Sequence, residues 1–318
     1  MGNIGRIGNN QLMNIILRNI SSQLARQGEL FDQISSNKRI LKPSDDPVGT
    51  AQVMGFKDQL NRNEEFENVA IAGDVWTNLT SASLDDAIST WQRVNEIAIS
   101  AADGTKNAQD LTAMAEELEQ LLQHLVQTGN STSGGRYLFA GNRTDTPAFQ
   151  VKSDPNTGRI SGVFYQGDSE VRRLQTRETN TLPLNIVGSN AGRPGASGSF
   201  IDTNTGANAF KTIIELRDKL LNNDVIGISN QGGALDDIKK VQNSFISAQV
   251  RIGGTQESLA LDRERIIKEN ADIESFLAEI ENADTAKLIL ELNNVQNVYE
   301  AALASGGRIL QLGLLRYI

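Results

Sequence analysis

Asp45 and Asp46 are adjacent carboxylates, the residue types in this chain that come nearest to acid–base or metal chemistry. They stand in Lys42-Pro43-Ser44-Asp45-Asp46-Pro47, and the two prolines assign them another task. Pro43 pushes Lys42 away from helical angles. An aspartate followed by proline reads as an N-cap with proline at the first helical position, where negative charge is favourable. The single histidine, His124, lies one position from Leu125 on an apolar heptad, so a surface or boundary role is expected rather than metal binding. With no cysteine in the chain, disulfides, thiolate metal sites and cysteine nucleophiles are excluded. No HExxH, P-loop or GxSxG pattern occurs. The glycine tract from Gly188 lacks the strand-then-helix setting of a phosphate cradle and reads as a flexible surface loop. Trp76 and Trp91 fall on helical seam positions, where core packing is the expectation. Asn78-Leu79-Thr80, Asn130-Ser131-Thr132 and Asn142-Arg143-Thr144 fit the glycosylation triplet, which arises often by chance. No catalytic residue, metal ligand or cofactor site is therefore expected.

What remains is a pattern made for helix packing. Near the N-terminus Met13, Leu17, Ile20, Leu24, Gln27, Phe31 and Ile34 follow at alternating steps of four and three, all apolar except Gln27. Toward the C-terminus Ile266, Ile273, Phe276, Ile280 and Ala283 keep that rhythm, and Leu288, Leu292, Val295, Tyr299 and Ala302 resume it after an offset. Leu310 and Leu314 extend the apolar end. Such a repeat asks for a partner helix along its length. The two ends are expected to pair with each other. Leu12, Ile15 and Ile16 widen the apolar face beyond one partner, so further copies of the chain are expected to complete the seam.

Between the ends, a helix is expected from Pro47 through Val53, Phe56 and Leu60, with Val69, Ala72, Trp76 and Leu79 continuing the pattern. Leu84 to Ala101 forms a further heptad, ending at Asp103-Gly104, and Leu111 to Leu125 another, ending at Thr128-Gly129. The short loop implies antiparallel neighbours. From Tyr137 the rhythm becomes strand-like: Phe149–Lys152, a turn at Ser153–Gly158, then Arg159–Tyr165 and Glu170–Gln175. Asn185–Asn208 is poor in apolar residues and reads as a loose, exposed end of this insert. Helix returns at Phe210, and a long seam runs from Ile238 to Ile280 with Thr255, Asp262 and Glu269 as its polar positions. Gly253-Gly254 inside it predicts a bend or a close helix contact. The fold class is thus mainly α with a small β-rich insert, in a nested elongated architecture. Its parts are a terminal coiled coil of residues 1–42 and 275–318, a helical-bundle middle domain of 43–141 and 210–274, and an outer β domain of 142–209.

Composition narrows the function classes. The 318 residues carry a formal net charge of −9, which argues against nucleic acid as main partner. No run reaches the length of a membrane span, so membrane insertion is not expected. The opening Met1-Gly2-Asn3-Ile4 lacks the layout of a cleavable signal peptide.

Several motifs give the chain a family likeness. Gln33-Ile34-Ser35-Ser36-Asn37-Lys38-Arg39-Ile40 leads into the proline-flanked segment. Gly135-Arg136-Tyr137-Leu138-Phe139-Ala140-Gly141 is followed by Thr144, Thr146-Pro147 and Phe149. Arg251-Ile252-Gly253-Gly254 and Leu310-Gln311-Leu312-Gly313-Leu314-Leu315-Arg316-Tyr317-Ile318 complete the set. By these the chain resembles the hook-associated protein 3 family, junction proteins related to flagellin, over nearly its full length. The resemblance implies a structural part of the bacterial flagellum, exported unfolded through the flagellar type III channel with an uncleaved signal and a cytosolic chaperone. It implies a ring-like layer of copies of the chain itself, lying between hook-associated protein 1 and the flagellin filament, outside the cell. Flagellin itself is the alternative of the same class, and an enzyme carried in the insert is the alternative of another class.

Overall fold

A computed structural model describes residues 4–191, 193, 196–229 and 233–314. The elements in chain order are α1 (Ile4–Ser36), α2 (Pro47–Ala102), α3 (Ala108–Gly129), β1 (Thr132–Ser133), β2 (Arg136–Tyr137), β3 (Phe149–Ser153), β4 (Ile160–Tyr165), β5 (Arg173–Gln175), β6 (Thr181–Pro183), β7 (Ile201–Asp202), β8 (Ala207–Asn208), α4 (Ala209–Leu221), α5 (Ile226–Ser229), α6 (Ala234–Glu281) and α7 (Thr285–Leu314). The fold is mainly helical, with four two-stranded antiparallel sheets among the described residues.

Local chemistry sets the helix limits. α2 begins at Pro47 because the Asp46 carboxylate accepts from the Gly49 amide at 2.8 Å. Asp45 closes the preceding loop instead, accepting from the Leu41 and Lys42 amides at 3.1 and 2.9 Å. From there α2 runs for 56 residues to Ala102. Gly104, at φ +69°, turns the chain. α3 then opens on a capping box in which Asn107 and Asp110 each bond the other's backbone amide. α4 has Asn208 as its cap, accepting from the Lys211 amide at 3.0 Å.

Two compact units emerge, residues 1–62 with 268–318 and residues 63–267, and α2 and α6 each contribute to both. In the second unit, helices and insert share one core. Trp91, Phe139, Phe149, Phe200, Phe210 and Phe245 are among its largest fully buried side chains. Phe200 meets Phe139, Phe149, Phe210 and Phe245 at ring-centroid distances of 5.1, 5.2, 5.6 and 5.2 Å. Trp91 packs edge-on to Phe245, and its indole N–H donates to the Ile238 carbonyl at 2.9 Å. An ion pair buried in the same unit, Arg217 to Glu119 at 2.6 Å, straps the insert down. Glu119 also accepts from the Ile160 amide and Arg217 donates to the Ile160 carbonyl, both at 2.8 Å.

β3 and β4 fall where the sequence placed strands, β5 is shorter than the expected Glu170–Gln175, and β6, β7 and β8 were not expected. β3 and β4 pair with Phe149 opposite Tyr165 and a register shift at Lys152–Ser153. Gly134 and Gly135, at φ +55° and +79°, form the two-residue turn joining β1 to β2. The polar seam positions of α6 also find partners. Thr255 donates to the Pro183 carbonyl at 3.3 Å, and Asp262 accepts from Thr176 at 2.6 Å and Asn180 at 2.9 Å. Glu269 accepts from Gln59 at 2.6 Å.

Two sequence expectations fail. Much of the described part of Asn185–Asn208 is packed and not a loose, exposed end: every residue from Asn185 to Asn190 is buried and Ser199 and Phe200 have no exposure, while Ala191, Arg193 and residues 203–206 are exposed and Gly192, Pro194 and Gly195 lie outside the described residues. Its polar groups satisfy one another instead of water. The Asn190 amide donates to the Ala196 carbonyl at 2.8 Å and to Asp202 at 2.9 Å, and its oxygen accepts from the Thr203 amide at 2.8 Å. Arg251 reaches Ser197 from α6 at 3.3 Å. Gly188 is there for close approach, because a Cβ on it would lie 2.7 Å from the Phe149 ring. Of the bend or close helix contact expected at Gly253-Gly254, the close contact is absent, since a Cβ on either would meet nothing within 4 Å. These glycines sit away from neighbouring helices, and α6 continues through them to Glu281.

Candidate assembly seam

The first unit brings the chain ends together, α1 packing along α7. The linkers at one end of the pair are stitched to each other. The Arg39 amide donates to the Glu281 carbonyl at 2.7 Å, and the Ala283 amide to the Asn37 carbonyl at 3.1 Å. Glu281 binds both Lys38 at 2.7 Å and Lys57 at 3.2 Å. Burial pushes its carboxyl up, but the bonds and charges of the two lysines outweigh this and hold it below the usual glutamate range. Farther along, Arg26 meets Glu291 at 2.6 Å across the pair.

The apolar stripe of α1 divides in two. Toward α7 lie Met13, Ile16, Ile20, Gln23, Gln27, Leu30 and Ile34, half-buried apart from Leu30, which has no exposure. Opposite them α7 presents Leu288, Leu292, Val295, Tyr299 and Ala302, and Gly306, whose Cβ position lies 3.2 Å from Ile16. Leu17, Leu24 and Phe31, at steps of seven, remain 53, 54 and 50% exposed. Ile289, Leu290, Val298 and Leu303 of α7 are exposed as well. On α6, Ile273 is buried and Ile280 half-buried, while Phe276 is exposed on one side and stacked on Phe56 at 5.9 Å on the other. Leu310 and Leu314 fall outside the residues whose side chains are described.

The sequence seam therefore mixes two faces. Met13, Ile20 and Ile34 take part in the contact within the chain, and Leu17, Leu24 and Phe31 do not. Sequence reasoning missed Leu30, the most buried residue of the pair. Its heptad mates are Ile16 and Gln23, and the polar Gln23 in the middle hides the stripe.

The residues that could do chemistry are absorbed by structure. Asp45 and Asp46 cap and close the α2 entry. His124 is exposed and pairs with Asp86 at 3.1 Å, which also accepts from Thr128 at 2.6 Å. No cluster of three or more histidine, aspartate or glutamate side chains suited to a metal ion occurs among the described residues. No described helix is long and apolar enough to cross a membrane.

Known proteins resemble this chain in sequence and in fold. A family model described as the bacterial flagellin N-terminal helical region matches residues 7–144. Flagellar hook-associated protein 3 of Escherichia coli is 24% identical, over 90% of this chain and 92% of that protein. Its Salmonella typhimurium counterpart is 25% identical, over 81% and 84%. Flagellin of Salmonella enteritidis is 21% identical over 83% of this chain but only 50% of flagellin. In fold, the chain is similar to hook-associated protein 3 of Legionella pneumophila, with a TM-score of 0.56, 17% identity and coverage of 76% and 99%. A Bacillus cereus FlgL structure gives 0.56, 15%, 70% and 99%.

In sequence the chain is thus similar to flagellin-related structural proteins of the bacterial flagellum. It is similar to hook-associated protein 3 nearly end to end, whereas the similarity to flagellin covers half of that protein.

Proposed function

We propose that this chain is a junction subunit, forming a ring-like layer between hook-associated protein 1 and the flagellin filament. The observation that carries this is the split stripe of α1. One half is used within the chain, and Leu17, Leu24 and Phe31 wait half-exposed for a second partner. A repeat of apolar residues at every seventh position fits another helix and little else. The assembly seam comprises Met13, Leu17, Ile20, Leu24, Phe31 and Ile34 on one side. On the other are Ile273, Phe276, Ile280, Leu288, Leu292, Val295 and Tyr299, with Leu310 and Leu314. Segments 1–42 and 275–318 serve assembly, 43–141 with 210–274 form the supporting helical body, and 142–209 is an insert on it. Export without a cleaved signal, through the flagellar channel and with a cytosolic chaperone, accords with the absence of cysteine. The final location is outside the cell.

The chain acts without catalysis in this reading. Its buried carboxylates Glu119, Asp202 and Asp262 are each bonded into the fold. A cavity of about 790 Å³ on the second unit contains Arg143 and Asp145 but is otherwise walled by Val126, Thr146, Pro147, Phe149, Val151 and side-chain amides.

Gold labelling of a tagged chain on native flagella tests the assignment. Label confined to the hook–filament boundary is expected. Label along the filament would make the chain a flagellin instead.

A further inference from the structure

The β3–β4 hairpin has an edge that the rest of the fold leaves open. At Phe149 a side chain stands in for a further strand: the Asn130 amide donates to the Phe149 carbonyl and accepts from its N–H, both at 2.8 Å. Phe149 therefore points its backbone groups away from β4. By the alternation of an antiparallel ladder, Gln150 and Lys152 bond to β4 and Val151 points away as Phe149 does. At Ile160 of β4 the seal is made again, Glu119 taking the N–H and Arg217 the carbonyl, both at 2.8 Å. Val151 has no such seal. Its N–H and C=O meet no partner among the described residues, and the residue is 39% exposed.

This open edge lines the cavity of about 790 Å³, together with Val126 and Asn130 from the end of α3 and Arg143, Asp145 and Pro147 from the loop before β3. Arg143 and Asp145 are exposed, and neither forms an ion pair among the described residues. A groove with an unpaired strand edge, apolar walls and two free charges of opposite sign matches the chemistry of an extended polypeptide. Its backbone supplies the donor and acceptor that Val151 lacks, and its alternate side chains supply apolar and charged groups. We propose that the groove receives an extended peptide segment of a partner protein, added to β3 as a third strand. An acidic side chain of the segment meets Arg143, a basic one meets Asp145, and apolar ones lie against Val126 and Pro147. The added strand stops at Asn130, because Phe149 is already paired. The site does not depend on the junction role, since all its residues lie within 63–267.

Amide hydrogen exchange of the full chain, resolved by residue, reads the Val151 N–H directly. The probes are synthetic pentapeptides with valine at alternate positions and every combination of glutamate, lysine and glutamine between them. With a peptide carrying one glutamate and one lysine, exchange at Val151 should slow about tenfold at saturation. The same peptide methylated on its central backbone nitrogen cannot donate to the Val151 carbonyl and should give no protection. Arg143→Gln and Asp145→Asn alter exposed side chains, with circular dichroism confirming the fold. Each should weaken the charged peptide about threefold and leave the glutamine peptide unchanged. The proposal is overturned if no peptide of the set protects Val151, if the methylated peptide protects it equally, or if neither substitution matters. Protection that rises with the chain's own concentration and needs no peptide would assign the groove to a second copy and overturn it as well.

Discussion

Leu24 and Leu30 lie on one helix, six residues apart, yet substitution at each should act at a different level of organisation. Leu30 is fully buried between α1 and α7, so Leu30→Ala leaves a cavity inside the subunit. That class of change costs about 2–5 kcal/mol, enough to loosen the end pair in a dilute monomer. Leu24 is 54% exposed, and only the exposed half of its surface remains to be buried on assembly. Full burial of such a side chain contributes about 1.5–3 kcal/mol, so the missing half is about 1 kcal/mol. Leu17, Leu24 and Phe31 share this condition. Replacing all three by alanine should therefore weaken a subunit contact by about 3 kcal/mol, or roughly a hundredfold. The monomer's helix content, read by circular dichroism, should fall in Leu30→Ala and hold in the triple variant. Motility should be lost in the triple variant. A triple variant that swims normally, or one that unfolds as Leu30→Ala does, would refute the division into two faces.

Three further outcomes follow from the geometry. Glu119→Ala takes one of two carboxylates from the Arg217 guanidinium, Asp218 keeping the other, and leaves the Ile160 amide without its acceptor, so urea unfolding should show a loss of about 1–3 kcal/mol, and Glu119→Leu with Arg217→Met should recover much of it. Glu281 has a lowered pKa in the fold, so its contribution is present above the unfolded value of about 4.3 and is lost as pH falls through the folded value. Thermal melts between about pH 5 and 3 should show that part of the decline absent in Glu281→Gln. Asn190→Ala removes the bonds to Asp202, the Ala196 carbonyl and the Thr203 amide, each worth about 0.5–1.5 kcal/mol net, while Asp202 and the Ala196 carbonyl keep Asn204 as a donor. Limited proteolysis should then cut within residues 185–208, which resist in the unaltered chain.

How far the sequence could be read depends on whether neighbours in the chain decide the outcome. Asp46-Pro47 starts α2 by itself, since the cap and the proline act within one turn. Gly134-Gly135 makes its own turn, and the alternation of Phe149–Lys152 declares a strand. The pairing of α1 with α7 was legible as well, because heptads advertise a need for a partner. Which heptad faced which partner was not. Leu24 and Leu30 are equally apolar, and only the position of α7 separates them. The stretch Asn185–Asn208 misled for a different reason. Composition gives no sign that Asn190 spends its amide on Ala196 and Asp202, or that Arg251 arrives from α6. Burial there comes from hydrogen bonds that close only in three dimensions. The Arg172 guanidinium lies over the Trp76 ring, a stack invisible for the same reason, since nearly a hundred residues separate the two.

Arg26 and Glu291, 265 residues apart, close the end pair. That distance sets an order of events in time. When a ribosome has released Ile267, every residue of the second unit is present, while α1 still has no α7 to lie against. Its two apolar stripes, the inner one through Leu30 and the outer one through Phe31, are then exposed together. The pair is the last contact to form, since loop closure over such a span must precede any gain from the seam. Until then the N-terminal helix is the stickiest part of an otherwise finished molecule, and whatever shields it during that interval governs how much of the newly made chain survives to be used.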